Sequence, residues 1–343
     1  MIHKIILKIF NYTYSMTVIE YVWVCNNYTI HSKTRVFTNT ISSLENVPSW
    51  NYDGSSTNQT ETTSSEINIV PRALFNDPFK GYNFFMVLCD AYTYKDEPLI
   101  DNARYSANII MENYKSLEPW FGLEQEYFLY KKDEAYPLGF VDGVDPGNHY
   151  CGNSLIDTGR IISEEHLKAC IDAGITISGS NAEVVTGQWE FQIGPCEGIQ
   201  QGDHLWMARF LLHRICEKYD VLANFEAKPV ENVNGSGCHM NYSTNVMRAD
   251  EGLNVILSAI TKLSNYHNEH MAVYGDGNRE RMIGTNETAD YSNFKYGIGD
   301  RTASIRIGYQ TFKDRKGYFE DRRPAASVDP YIITAKMVKT TNL

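Results

Sequence analysis

The segment Trp120-Phe-Gly-Leu-Glu-Gln-Glu-Tyr-Phe-Leu-Tyr130 most constrains what this chain can fold into. Along a strand, residues two apart point to the same face. Glu124 and Glu126 therefore share a face, and Leu123, Tyr127 and Leu129 fill the other. Three further segments repeat the arrangement. In Gly187-Gln-Trp-Glu-Phe-Gln-Ile193, Glu190 lies opposite the apolar Trp189 and Phe191. In Gly237-Cys-His-Met-Asn-Tyr-Ser243, His239, Asn241 and Ser243 share a face. In Gly317-Tyr-Phe-Glu-Asp-Arg-Arg323, Tyr318, Glu320 and Arg322 do. Glu183 stands seven residues before Glu190. That odd spacing calls for a turn or bulge at 185–187 if both reach one site. A half-exposed strand with solvated carboxylates accounts for any one segment alone. Together the segments point to an acidic cluster on apolar-backed strands.

Two carboxylates about 4 Å apart repel by ~4 kcal/mol at an effective dielectric of 20. Five glutamates and one histidine persist together only if protons or cations neutralise them. Glutamate-rich sites with one imidazole suit hard divalent ions, Mg²⁺ or Mn²⁺. Zinc fits poorly, because no cysteine or second histidine is suitably placed. Arginines supply positive charge. Arg306 lies between Ile305 and Ile307, with Arg301 five residues earlier; Arg322 and Arg323 follow Glu320, and Arg281 precedes Gly284. Arginine forks suit carboxylates and phosphates, although Asp321 offers one of them a structural partner. Metals with converging arginines favour a phosphorylated or nucleotide substrate. There is no Walker-type GxxxxGK[ST] loop, and Asn234-Gly-Ser-Gly237 reads as a turn into a strand.

The net charge of −11 disfavours general binding to nucleic acid or anionic membrane. The apolar run Ile5-Ile6-Leu7-Lys8-Ile9-Phe10 is far short of the ~20 residues of a membrane span. Seven cysteines, without a CxxC pair, read as free thiols in a reducing compartment, and the expected location is cytoplasmic. Residues 1–15 read as an N-terminal extension, 16–102 as a small β-rich domain and 103–343 as a larger α+β domain. Strands are expected over 18–24 and 83–89, with a solvated Ser/Thr-rich linker over 48–66. Helices are expected from Ser163 to Gly174, from His204 to Tyr219, from Leu253 to Tyr274, and from Pro330 onward.

From about residue 16 to the end the chain resembles glutamine synthetases of the eukaryotic type (class II). The matching stretches are Trp50-Asn-Tyr-Asp-Gly-Ser-Ser-Thr57, Trp120-Phe-Gly-Leu-Glu-Gln-Glu-Tyr127, Asn181-Ala-Glu183 and Gln188-Trp-Glu-Phe-Gln-Ile-Gly-Pro-Cys-Glu-Gly198. They continue with Asn234-Gly-Ser-Gly-Cys-His239, Arg301 to Ile307 and Lys316-Gly-Tyr-Phe-Glu-Asp-Arg-Arg-Pro324, in the family's order. The resemblance implies an N-terminal β-grasp domain and a catalytic domain with a funnel of antiparallel strands. It implies two or three Mg²⁺ or Mn²⁺ ions and the reaction of L-glutamate, ammonia and ATP to L-glutamine, ADP and phosphate. Glu126, Glu183 and Glu190 match the ligands of one ion, and Glu124, His239 and Glu320 those of the second.

By the same resemblance Arg281, Arg301 and Arg322 grip glutamate and the transferred phosphate, and Asn234 and Gly235 bind the amino acid. Trp120, Pro195, Asn241, Ser243, Arg248, Arg301, Arg306 and Tyr318 fall where the family contacts ATP. Asp53 and Tyr150 fall at the ammonium site, and Glu287 on a flap that closes over it. Asp53 would hold the ammonium and accept its proton, and Arg306 would neutralise charge on the transferring phosphoryl group. The loop after Asp53 reaches a neighbouring subunit in the family, which forms two stacked pentameric rings. Asn286, Val233, Asp300 and Asp145-Pro-Gly-Asn-His149 depart from the family's usual residues. They bear on flap movement and turnover rather than on reaction type. The alternatives weighed are a catalytically silent relative, a glutamate ligase using another amine, and a guanidino-kinase relative. The last would normally carry a reactive cysteine and lack the Asp53 motif.

Overall fold

The computed structural model describes residues 16–25, 28–154, 156–285 and 288–343. The extension 1–15, Asn286 and Glu287 lie outside the described residues. The chain divides into two units, residues 1–105 with 169–175, and residues 106–168 with 176–343.

The first unit is built on a five-stranded mixed sheet. Its strands are β1 (Thr17–Val24), β2 (Ile30–Phe37), β3 (Trp50–Asp53), β4 (Glu66–Asn76) and β5 (Phe84–Thr93), in the order β2-β1-β5-β4-β3. The central pair β1·β5 is parallel and the other pairs are antiparallel. Ile19, Tyr21, Trp23, Ile67, Ile69 and Val87 are buried together on one side. The solvated linker expected over 48–66 is corrected. Trp50–Asp53 is a strand paired with Glu66–Ile69, and two short 3₁₀ turns, Gly54–Thr57 and Thr62–Ser64, fill the interval. Local composition pointed to a loop, but pairing with β4 supplies the ladder bonds that a polar strand cannot obtain alone.

The second unit carries β6 (Trp120–Lys131), β7 (Ile177–Ala182), β8 (Gln188–Glu197), β9 (Val221–Asn224), β10 (Cys238–Ser243), β11 (Tyr296–Ile298), β12 (Ile305–Ile307) and β13 (Phe319–Asp321). The order is β11-β12-β13-β10-β6-β8-β7, with β9 on β6. All pairs are antiparallel except β11·β12. The helix Gln200–Lys218 covers β8, β9 and β6, and the helix Pro330–Thr341 packs on it and on Gly252–Asn265. Pro330 occupies the first turn, with Asp329 capping the Tyr331 N–H. Among the described residues no helix is long and apolar enough to cross a membrane.

Three helix expectations need correction, and the helix expected from His204 to Tyr219 runs Gln200–Lys218. The helix expected to open at Ser163 runs Arg160–Ala173. The Ser163 hydroxyl bonds the Ser180 hydroxyl at 2.7 Å, and the Ile162 and Ser163 N–H groups bond back to Gly159. The span Leu253–Tyr274 is two helices, Gly252–Asn265 and His267–Met271, broken at Tyr266.

Burial of imidazoles makes stability depend on pH. His166 Nε2 donates to the Ala208 carbonyl oxygen at 2.9 Å, and burial pulls its pKa down to about 4. A carbonyl can only accept, so the neutral Nε2–H tautomer is the bonded form. The folded value lies below the unfolded ~6.5. The unfolded chain therefore binds more protons in this window, and the stability present above pH 6.5 is lost as pH falls towards 4. Between pH 7 and 5 the wild type should lose about 2 kcal/mol more than His166→Gln in urea unfolding. Parallel curves for the two proteins would count against this assignment.

Candidate active site

Strand register creates the acidic cluster. On the β6·β10 ladder His239 lies directly opposite Glu124, and on β6·β8 Glu126 lies opposite Glu190. Asn241 lies opposite Glu320 on β10·β13, and Arg306 lies opposite the same Glu320 on β12·β13. Directly opposed residues project to one face. The hairpin β7–β8 then brings in Glu183, whose N–H bonds the Gln188 carbonyl at 2.9 Å. Gly187 makes this turn possible. Its φ is +78°, and a Cβ there would lie 2.5 Å from the Leu138 carbonyl oxygen.

Two groups of ligand atoms result. Glu124, His239 and Glu320 form one, and Glu126, Glu183 and Glu190 form the other; within each group the ligand atoms lie within 4.8 Å of one another. His239 Nδ1 is 3.7 Å from Glu124 Oε2 and 3.7 Å from Glu320 Oε1, and its Nε2 is 3.9 Å from Glu126 Oε1. One imidazole thus stands between the groups. Burial, followed by the nearby Arg322, holds its pKa well below the ordinary value. A neutral imidazole keeps the lone pair that a metal needs.

The carboxylates show the opposite strain. Burial and the neighbouring Glu183 push Glu126 up; burial and the neighbouring Glu124, Glu126 and Glu183 push Glu190 up. Nearby carboxylates and burial each disfavour the ionised form. Divalent cations would reverse that preference, so an oxygen-rich donor set with one neutral imidazole fits hard divalent ions. The three side chains Gln188, Gln192 and Asn241 hold individual carboxylate oxygens. Gln188 donates to Glu126 Oε2 at 3.2 Å, Asn241 donates to Glu124 Oε1 at 2.8 Å, and Gln192 donates to Glu190 Oε1.

These groups open on a small polar cavity of about 50 Å³, lined by Glu124, Glu126, Glu183, Glu190 and His239 together with Tyr150, Asn234, Gly235, Arg281, Arg301 and Arg322. Arg322 Nη1 donates to Glu320 Oε1 at 2.6 Å, and Arg306 Nη1 donates to Glu320 Oε2 at 2.8 Å. Arg281 is buried; its Nη2 donates to the Arg322, Arg323 and Pro324 carbonyls, and its Nε to Asn278. The guanidinium is therefore held rigidly by backbone while it lines the cavity. Asn234–Gly237, expected as a turn, is instead an irregular segment that closes the wall, and its Gly237 bridges Ala325. The Gly237 N–H donates to Glu126 Oε2 at 2.8 Å, and a Cβ on Gly237 would come within 2.8 Å of His239 Nε2.

Glu124 also lines a second cavity, of about 450 Å³. Trp120, Pro195, Asn241, Ser243, Arg248 and Tyr318 line it too, so six residues expected at a nucleotide stand around one space. Its volume lies in the range of ordinary small-molecule sites, ~300–1,000 Å³. The Arg248 guanidinium lies 4.0 Å from the centre of the Trp120 ring and donates to Ser243 Oγ at 2.9 Å.

Two expected residues stand apart from this description. Asp53 ends β3 in the first unit and is exposed. It accepts from the Ser55 hydroxyl at 2.7 Å, the Ser56 hydroxyl at 2.8 Å and the Ser55 N–H at 3.0 Å, and these bonds hold its pKa down to about 2. Glu287 lies outside the described residues, while Thr288 lines the small cavity. Thr288, Gln188 and Gln192 were missed as site residues. Two of them had a signal: Gln188 and Gln192 flank Glu190 at i−2 and i+2, on its face.

An acidic, arginine-flanked cavity that shares a wall with a nucleotide-sized one is an architecture for metal-assisted phosphoryl transfer. Within that class the chain belongs to the glutamine synthetase family: the family model "Glutamine synthetase, catalytic domain" matches residues 102–341. A glutamine synthetase nodule isozyme of Vigna aconitifolia is 48% identical over 332 residues, covering 94% of this chain and 93% of the relative. A glutamine synthetase cytosolic isozyme 1-3 of Arabidopsis thaliana is 47% identical, covering 94% of each. A cryo-EM structure of Plasmodium falciparum glutamine synthetase superposes with a TM-score of 0.78 at 17% identity, covering 98% of this chain and 74% of that one. That likeness speaks to the α+β fold alone.

Proposed function

We infer that this chain is a glutamate–ammonia ligase, which uses ATP to join ammonia to the γ-carboxylate of L-glutamate through γ-glutamyl phosphate. The carrying observation is that Glu124 belongs to both cavities. One carboxylate-rich wall can then face a nucleotide on one side and an amino acid on the other. A carboxylate is a poor electrophile, and phosphorylation gives its γ-carbon a good leaving group. The two ligand groups fit Mg²⁺ or Mn²⁺, which when bound supply charge neutralisation and orientation for the phosphoryl oxygens.

The remaining roles belong to the chain's own side chains. Asn234 and Gly235 offer polar groups to the amino acid, while Arg281, Arg301 and Arg322 bring positive charge to its carboxylates and to phosphate. Arg306 is anchored by Glu320 and offers its positive charge to the transferring group. Trp120, Pro195, Asn241, Ser243, Arg248 and Tyr318 hold the nucleotide. Asp53 and Tyr150 serve the ammonium ion. A carboxylate held near pKa 2 remains an anion at any physiological pH and attracts that cation. Glu287, outside the described residues, is assigned the role of excluding water from the acyl phosphate. Residues 16–102 form the β-grasp domain and 103–343 the catalytic domain. The working form is a homo-oligomer of stacked rings in the cytoplasm, with Asp53 serving a neighbouring subunit's site.

The test is phosphate release by the purified protein with ATP, glutamate and Mg²⁺ or Mn²⁺, measured with and without ammonium. Ammonium-dependent release with equimolar glutamine is expected. Release that ignores ammonium, or prefers methylamine or ethanolamine, would sink the reading. A narrower prediction concerns the larger cavity. Trp120→Ala should raise the KM for ATP about tenfold, because stacking on a base is worth ~1–3 kcal/mol. The KM for glutamate should remain within about twofold, and a parallel rise in both would remove Trp120 from the nucleotide site.

A further inference from the structure

Gln188 stands at the start of β8, is 1% exposed, and lines the small cavity. Its Nε2 lies 3.2 Å from Glu126 Oε2, 3.0 Å from the Gly235 carbonyl and 3.1 Å from the Ser236 hydroxyl. The first two can only accept. The orientation of the amide is therefore determined, since turning it over would set its oxygen against a carboxylate and a carbonyl. Its Oε1 is buried with no hydrogen-bond partner among the described residues. The donor end alone secures this side chain.

The two oxygens bridged by that donor end serve different parts of the site. Glu126 Oε2 already accepts from the Gly237 N–H at 2.8 Å, and the second bond, from Gln188, closes off that oxygen. Oε1 is then the atom turned towards His239, at 3.9 Å. The Gly235 carbonyl belongs to the segment that lines the amino-acid cavity. One amide therefore ties the carboxylate of the ligand cluster to the backbone offered to glutamate.

We propose that Gln188 is a positioning residue that couples the Glu126 carboxylate to the Asn234–Gly237 segment, so that ion affinity and glutamate affinity share one support. This rests on the ligase reading above. Gln188→Met keeps length and apolar bulk but removes the donor. Its Mn²⁺ affinity, measured without substrates by the electron paramagnetic resonance of free Mn²⁺, should fall about 10–100-fold, the range for losing a partner of a metal ligand. In steady-state assays the KM for glutamate should rise at least about fivefold while the KM for ATP stays within about twofold. A folded Gln188→Met protein with unchanged Mn²⁺ affinity and glutamate KM overturns the proposal. So does an equal rise in both KM values, which marks general distortion. If Gln188→Met fails to fold, Ser236→Ala decides. It removes one oxygen from the same bridge and should raise the glutamate KM about threefold with the ATP KM unaltered; no change there overturns the proposal. A wild-type protein that binds no Mn²⁺ and forms no glutamine would instead condemn the ligase reading, so the two failures are told apart.

Discussion

Glu190→Gln should leave a folded protein whose glutamine synthesis has dropped on the order of 100–1,000-fold, comparable to losing one strong electrostatic element of a catalytic site. The same substitution should make the metal-free protein harder to unfold. Glu190 is 5% exposed, faces Glu126 across the β6·β8 ladder, and is pushed up by burial and by Glu124, Glu126 and Glu183. A neutral amide of the same shape removes a source of repulsion and can retain a bond to Gln192 through its oxygen. Relief of each kcal/mol raises Tm by roughly 2–4 °C in domains of 150–250 residues. The measurements are turnover with saturating Mn²⁺ and thermal unfolding in chelator. A metal-free melting temperature below that of the wild type, together with retained turnover, would mean that the carboxylate is there for packing.

Arg323→Met should lower Tm on the order of 10 °C, from an expected cost of ~3–5 kcal/mol. Arg323 and Asp321 are both fully buried and form a fork, with Nη2–Oδ2 at 2.7 Å and Nε–Oδ1 at 2.9 Å. Around it, Tyr274 donates to Asp321 Oδ2 at 2.8 Å, and Arg323 Nη1 lies 3.1 Å from His267 Nδ1. Removing the arginine leaves Asp321 charged in the interior. Removing both charges, as in Asp321→Leu with Arg323→Met, should recover much of the loss, because breaking a buried pair costs more than replacing it. The single variant should also lose activity, since β13 carries Glu320 on the face opposite Asp321. A single variant as stable as the wild type would show that Asp321 takes up a proton or finds another partner.

Most of the site chemistry was legible in the residue order, and for a local reason. The side-chain direction on a strand repeats every two residues whatever the strand's neighbours are. Glu124 with Glu126, His239 with Asn241, and Arg306 between two isoleucines could therefore be assigned to faces. The turn demanded by the spacing of Glu183 and Glu190 is the β7–β8 hairpin at Gly187. Among the described residues no disulfide joins any of the seven cysteines expected as thiols. Less of the scaffold was legible. β2, β3 and β4 are polar or mixed, and β4 has a register irregularity between Pro71 and Ala73, so alternation did not announce them.

Face assignment by local geometry could say that Glu124 and His239 each point away from an apolar back, but not that they point at one another. Strand order and register carried that information, through pairings such as that of His239 with Glu124, 115 positions apart. The placement of His239 opposite Glu124, of Glu126 opposite Glu190, and of Arg306 beside Glu320 depends on those long-range ladders. So does the Gln188 bridge from Glu126 to Gly235. Period-two direction is a property of each short stretch of backbone, whereas neighbourhood across a sheet is set by which hydrophobic backs find a common core, and chain order does not encode that stretch by stretch.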